Sequence, residues 1–376
     1  MQQDQLDKKK VYFVSGGGTG GHIYPAVTIA EGLLEQPDTE KVYYVGNPKN
    51  LEYEIVKKDP RIKFLPVKIK GMPRKIGFSS IKWLWDLEVA TWKSLFYIFK
   101  YRPDAVFTTG GYVSAPVAFA SILTKKPFMI HDCDAIPGLV SKHVAPFAKV
   151  VSVAFEKSKE FLDSLNIKVN GNPVRKSFGN YSKDSAREAL GLRNKLTILS
   201  MGGSQGAESI NNAVIEMAQA VTEELDIQLI IQTGRKNFDN VVKRFEEYFP
   251  NYYMNTNLVI RPYFEDMAVP LSAADLVIAR AGSLSLSEIN LCSLPSILVP
   301  YPHAAADHQR KNAKEMELSG AAVYLEDEDC TRDNLLNKVK ETIYDGEKMH
   351  QMSVNARSLA RPDAAGQIIE QLRSIV

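Results

Sequence analysis

The chain has 376 residues, 45% of them hydrophobic and 24% charged, proportions that exclude collagen-like, low-complexity and wholly disordered chains, and at roughly 150 residues per domain it should form two domains. Its three cysteines, Cys133, Cys292 and Cys330, include no C-x-x-C pair, which excludes a disulfide framework or zinc finger and fits a reducing cytosol. The net charge of +2 hides a segregation: residues 1–170 carry 24 Lys+Arg against 17 Asp+Glu, residues 171–376 carry 22 against 27, and residues 57–102 alone hold 12 basic and 3 acidic residues.

The polar start ends in three lysines, and the apolar run 11–14 is too short for a signal-peptide core. No secretion signal or membrane-spanning stretch is expected. Residues 11–14 read as a strand, Ser15-Gly-Gly-Gly-Thr-Gly-Gly-His22 as a loop, and 23–34 as a helix. Short apolar runs at 42–45, 105–108, 128–131 and 150–153 then alternate with helical stretches. A boundary falls near 170–190, where Gly171-Asn-Pro-Val-Arg175 and the polar stretch 180–184 break the periodicity. The second half repeats the opening unit: strand 196–200, loop Gly202-Gly-Ser-Gln-Gly206, helix from 207 to about 225. Strands at 229–232, 258–260, 276–279, 296–299 and 322–325 follow. This alternation predicts an α/β fold of two Rossmann-like, doubly wound parallel-sheet domains facing across a cleft, where a ligand would bind.

Gly16, Gly18 and Gly21 match G-x-G-x-x-G, but the second strand ends in Gly46-Asn47 without the acidic residue that holds a dinucleotide ribose, which disfavours a nicotinamide or flavin enzyme. What remains is a helix N-terminus bared by glycine and suited to a diphosphate. His22 opens that helix, where the positive dipole end favours a neutral imidazole able to accept a proton. Ser204 and Gln205 put a hydroxyl and an amide in the second loop. Glu288, early in the helix after strand 276–279, can bind vicinal ribose hydroxyls, or it is a helix-dipole acid. The loop Tyr301-Pro-His-Ala-Ala-Ala-Asp-His-Gln309 suits a hydroxyl-rich ligand; His303 and His308 lack a third ligand, so no metal site is expected.

All three tryptophans, Trp83, Trp85 and Trp92, lie in the basic stretch among Lys68, Lys70, Arg74, Lys75, Lys82, Lys93 and Lys100. Basic charge around aromatic bulk describes a helix lying on an anionic membrane; an ordinary amphipathic helix burying its aromatics is the alternative. No nucleic-acid recognition motif is present.

Gly16-Gly-Gly-Thr-Gly-Gly-His22, Gly110-Gly-Tyr-Val-Ser-Ala-Pro116, Gly171–Arg175, Gly202–Gly206 and the stretch 280–288 stand in the order of one family, down to Arg361-Pro-Asp-Ala-Ala365. Together they resemble the MurG family of glycosyltransferases, family 28. The resemblance implies a GT-B fold with an acceptor- and membrane-binding domain at 1–172, a UDP-sugar-binding domain at 173–352, and a helix within 353–376 packing back on the first domain. It implies inverting, metal-independent transfer of N-acetylglucosamine from UDP-GlcNAc to undecaprenyl-diphosphate-N-acetylmuramoyl-pentapeptide (lipid I), forming a β-1,4 linkage in peptidoglycan synthesis. It also implies a peripheral place on the cytoplasmic membrane face, cell-wall or division proteins as partners, and no cofactor.

By position, the resemblance puts Thr19, Gly20, Gly21, Asp134, Arg175, Ser204, Gln205, Phe264, Arg280, Ser283, Glu288, His308 and Gln309 on the donor. Thr19, His22 and Tyr112 fall on the acceptor, and His22 or Asp132 is the base. The family's usual His-Glu-x-Asn is here His131-Asp-Cys-Asp134, so Asp132 must reach a methylene further or another group must act. Two other readings share these features: a related synthase glycosylating diacylglycerol, and an inactive UDP-sugar-binding protein.

Overall fold

The computed structural model describes residues 9–73, 77–203, 206–304 and 307–376. The chain divides into two compact units, Met1–Arg175 with Arg361–Val376, and Lys176–Ala360.

In the first unit, β1 (Lys10–Ser15), α1 (Gly20–Leu34), β2 (Thr39–Gly46), α2 (Leu51–Val56), β3 (Lys63–Pro66), α3 (Phe78–Tyr101), β4 (Ala105–Thr108), α4 (Gly111–Leu123), β5 (Phe128–Asp132), α5 (Leu139–Val144), β6 (Val150–Val153) and β7 (Ile167–Val169) follow one another. The seven strands form one sheet in the order β3-β2-β1-β4-β5-β6-β7, and every pairing is parallel. Helices cover both faces, so the central strands read as unbroken apolar runs: Phe13, Val106 and Ile130 enter one core, Tyr12, Val14, Phe107 and Met129 the other. The edge strands β3 and β7 go beyond the sequence expectation.

The second unit holds α6 (Lys183–Ala189), β8 (Thr197–Met201), α7 (Glu208–Gln219), β9 (Gln228–Gln232), α8 (Phe238–Tyr248), β10 (Leu258–Arg261), α9 (Ala268–Ala273), β11 (Leu276–Ala279), α10 (Ser283–Leu291), β12 (Ser296–Leu298), α11 (His308–Leu318), β13 (Ala322–Tyr324), α12 (Arg332–Ile343) and α13 (Gly346–Leu359). Its parallel sheet runs β10-β9-β8-β11-β12-β13. The helix expected to continue to about residue 225 changes pitch: α7 ends at Gln219 and a π-helical turn spans Ala220–Glu224.

The last helix, α14 (Ala364–Ser374), belongs to the first unit. Ile369 packs against the bare face of Gly32 in α1, the Asn170 and Gln371 amides pair at 2.9 and 3.0 Å, and Arg373 binds Asp38 at 2.9 Å. Among the described residues no helix is long and apolar enough to cross a membrane.

Candidate functional site

In each sheet the strand order reverses once, between β1 and β4 in the first unit and between β8 and β11 in the second. At such a point the following helices leave to opposite faces and open a crevice at the strand carboxyl ends, where α/β sheets bind ligands. The glycine loops of this chain stand at those two points.

In the first unit the chain leaves β1 through Gly16–Thr19. A side chain on Gly16 has no room, since a β-carbon would fall 2.5 Å from the His22 carbonyl oxygen, and Gly18 has φ +91°. The loop is fastened from below: the Tyr44 hydroxyl donates to the Gly16 carbonyl at 2.6 Å and Thr109 Oγ1 to the His22 carbonyl at 2.7 Å. Thr19, exposed, is the N-cap of α1, and its carbonyl accepts the N–H groups of His22 and Ile23 at 3.1 Å. Gly20 and Gly21 carry the first N–H groups of α1, which have no acceptor within the helix, and a β-carbon at either would meet nothing closer than 3.5 Å.

The second turn, Gly110-Gly111, has φ +71° at both residues and leads β4 into α4. A β-carbon at Gly111 would lie 3.3 Å from both the Gly17 carbonyl oxygen and Cδ2 of His22, so the turn and the imidazole are packed together. Nδ1 of His22 is buried without a hydrogen-bond partner among the described residues. Tyr112 accepts the Asn50 amide at 3.3 Å, and burial raises its phenol above the usual value.

At the end of β5, His131 is fully buried between Ser152 Oγ at 2.8 Å and Asn172 Oδ1 at 3.1 Å. Burial, reinforced by the neighbouring His22 charge, pushes it down to about 4, so it is neutral. Asp132, 2% exposed, accepts the Asp134 N–H on Oδ1 at 3.1 Å, and the Gly138 N–H at 3.1 Å and the Ser141 hydroxyl on Oδ2. Burial pushes its carboxyl up to about 6, the Asp134 charge adds to this, and the Ser141 hydrogen bond and His22 charge oppose it. His22 and Asp132, distant in sequence, are thus electrostatic neighbours. Arg175 stacks its guanidinium 4.8 Å from the Tyr24 ring centroid on α1.

In the second unit the loop after β8 crosses Gly203, φ +75°, and Gly206, φ +79°. Gly206 lies against the Thr233 carbonyl, which leaves no space for a side chain. Ser204 and Gln205 lie outside the described residues. The Phe264 N–H donates to Gln232 Oε1 at 2.9 Å, fixing the chain after β10.

Arg280, at the end of β11, is tied down: it pairs with Asp327, donates to Ser209 Oγ at 3.1 Å and to the Val299 and Pro300 carbonyls at 3.1 Å, and its guanidinium lies 5.6 Å from the Tyr301 ring centroid. That network joins the starts of α7 and of the 300–309 loop. Ser283 is the first residue of α10, and Glu288, 7% exposed, lies little more than a turn later. Burial, with the Glu288 charge adding, pushes the Cys292 thiol up to about 12. His308 opens α11, and Gln309 accepts the Tyr301 N–H at 3.0 Å.

Sequence reasoning missed Glu52, Ser141 and Asp327. Glu52 and Asp327 stand in unremarkable acidic stretches and Ser141 in a short mixed helix, and only their contacts in the fold mark them.

Residues 12–153 match the glycosyltransferase family 28 N-terminal domain and residues 197–368 the glycosyltransferase family 28 C-terminal domain. Curated relatives named UDP-N-acetylglucosamine–N-acetylmuramyl-(pentapeptide) pyrophosphoryl-undecaprenol N-acetylglucosamine transferase align end to end. That of Desulforamulus reducens is 35% identical over 96% of this chain and 98% of its own, and that of Desulfitobacterium hafniense strain Y51 is 37% identical over 95% and 96%. The chain belongs to glycosyltransferase family 28, among its MurG members. The crystal structure of Acinetobacter baumannii MurG superposes with a TM-score of 0.74 at 28% identity, covering 97% of this chain and 99% of that one. The two parallel-sheet units are accordingly those of a GT-B glycosyltransferase, and a family-28 enzyme of this kind is a hexosyltransferase.

Proposed function

We propose that this family-28 transferase moves N-acetylglucosamine from UDP-N-acetylglucosamine to the muramoyl sugar of undecaprenyl-diphosphate-N-acetylmuramoyl-pentapeptide, a step of peptidoglycan synthesis. The observation that carries this reading is the end-to-end likeness to relatives whose names state that transfer. Nothing favours a diacylglycerol acceptor or an inactive binding protein.

The first unit takes the acceptor and the second the donor. The acceptor hydroxyl attacks the anomeric carbon of the sugar from the face opposite the leaving group; the new C–O bond forms as the bond to the diphosphate oxygen breaks, and the configuration inverts to β-1,4. His22 takes the hydroxyl proton. Asp132 is the less suited base, because both its oxygens already accept protein donors; ionised, it stabilises the imidazolium that forms. The departing UDP is met by N–H groups of the loop ending at Gly206 and of the α7 start, without a metal, and Glu288 holds the ribose.

The enzyme works as a peripheral protein on the cytoplasmic membrane face. Ile81, Trp85, Val89, Trp92, Phe96 and Phe99 of α3 are between 51% and 69% exposed and recur every three or four residues, so the helix turns an apolar stripe outward. Lys82, Lys93 and Lys100 flank it, exposed, as an anionic lipid surface requires; Arg74 and Lys75 lie outside the described residues.

Substitution of His22 by Ala tests the chemistry: turnover should fall by about 100-fold or more while UDP-sugar affinity stays within about twofold. Loss of donor binding instead would overturn the assignment of His22.

A further inference from the structure

Glu52 is 0% exposed, and no ion pair reaches it among the described residues. Oε1 accepts the Asn47 N–H at 3.1 Å, and among the described residues Oε2 is buried without a hydrogen-bond partner. A buried carboxylate without a counter-ion is an expensive group to keep. Its neighbours show what it touches. A β-carbon at Gly17 would lie 2.8 Å from Oε1 and 2.9 Å from Cδ, and one at Gly46 would lie 3.1 Å from Cγ. The backbone of the β1–α1 loop and the end of β2 thus rest directly on this one side chain, and both positions are glycine.

The contact continues to the next turn. Asn50, two residues earlier, donates to the Tyr112 hydroxyl, and a β-carbon at Gly18 would lie 2.8 Å from the Tyr112 ring. Burial raises the Glu52 carboxyl, while its own N–H, those of Asn47 and Gly18, and the Asn50 amide draw it back down.

We propose that Glu52 is a positioning residue for acceptor binding: its carboxylate holds Gly17–Gly18 against the end of β2, and so sets where the N–H groups of Gly20 and Gly21 and the His22 ring point. This rests on the acceptor being held by the first unit, as argued above. Glu52 touches no substrate; it acts through the loop.

The test is steady-state kinetics of Glu52→Gln and Glu52→Ala with UDP-N-acetylglucosamine and a short-chain lipid-diphosphate acceptor. Near-isosteric Glu52→Gln keeps the packing but replaces one acceptor oxygen with a donor. The acceptor KM should rise at least about tenfold with the donor KM within about twofold, and Glu52→Ala should be worse. In a double-mutant cycle, Gly17→Ala, whose methyl meets the carboxylate, should lose less in the Glu52→Ala background than in wild type. Wild-type-like kinetics of Glu52→Gln, or equal loss for both substrates, would overturn the proposal. If wild type transfers nothing to the lipid, the functional reading fails first. Amide exchange at Gly17–Thr19 then decides: faster exchange in Glu52→Gln supports the clamp, and unchanged exchange overturns it.

Discussion

Asp132 and Ser141 are joined side chain to side chain: the Ser141 hydroxyl donates to Oδ2 of Asp132, the same oxygen that accepts the Gly138 N–H. Ser141 also sits beneath the Gly110 turn, where a β-carbon would come within 2.8 Å of its Oγ. One hydroxyl therefore fixes the carboxylate next to His22 and supports the turn that carries Tyr112. Replacing Ser141 by Ala removes a hydrogen bond to a buried charged group, so stability should fall by about 1.5–3 kcal/mol in urea denaturation, with UDP-sugar affinity retained.

Adjacent residues in β5 give the protein opposite pH dependences. His131, lowered in the folded state to about 4, makes the unfolded chain bind more protons below its ordinary value of 6.5, so its contribution is lost as pH falls from 6.5 towards 4. Asp132, raised from 3.8 to about 6, makes the folded chain bind more protons in between, so its contribution is lost as pH rises through that window. The two largely cancel. Substitution of Asp132 by Asn removes one side of the balance, and urea denaturation at pH 4.5 and 7 should show a steeper acid loss of stability than in wild type.

Strand and glycine patterns were legible for physical reasons that also locate the site. Fully buried parallel strands such as β1 and β8 are continuous apolar runs, and Gly18, Gly110 and Gly206 are glycine because their φ is positive. The edge strands were not legible: β3 reads Lys-Phe-Leu-Pro and β7 has three residues centred on exposed Lys168, too little apolar pattern to stand out. Glu52 was hidden because Leu51-Glu-Tyr-Glu54 looks like a solvated helix. Its burial comes in part from Gly17, far away in sequence, whose bare face lies against the carboxylate.

Gly206 offers a test on the donor side. Its φ of +79° and its contact with the Thr233 carbonyl admit no side chain. Alanine in left-handed backbone costs roughly 1–2 kcal/mol before any displacement of Thr233. Gly206→Ala should weaken UDP-N-acetylglucosamine binding by about tenfold or more in calorimetric titration, with α1 and its acceptor loop unaffected.

The α3 stripe makes a prediction about lipid. Each lysine near an anionic surface contributes about 1 kcal/mol, so changing Lys82, Lys93 and Lys100 together to Gln should weaken association with anionic vesicles by about two decades in a flotation assay. Neutral vesicles should show little change. Binding that survives these changes together with Trp85→Ser and Trp92→Ser would place the membrane contact elsewhere.

The most direct measurement is mass spectrometry of the lipid recovered after the purified protein is incubated with UDP-N-acetylglucosamine and a short-chain lipid-diphosphate muramoyl-pentapeptide. The account predicts a product heavier by one N-acetylglucosamine residue, formed together with UDP. An unmodified lipid from a protein that still binds the UDP-sugar, or transfer to diacylglycerol in its place, would contradict it.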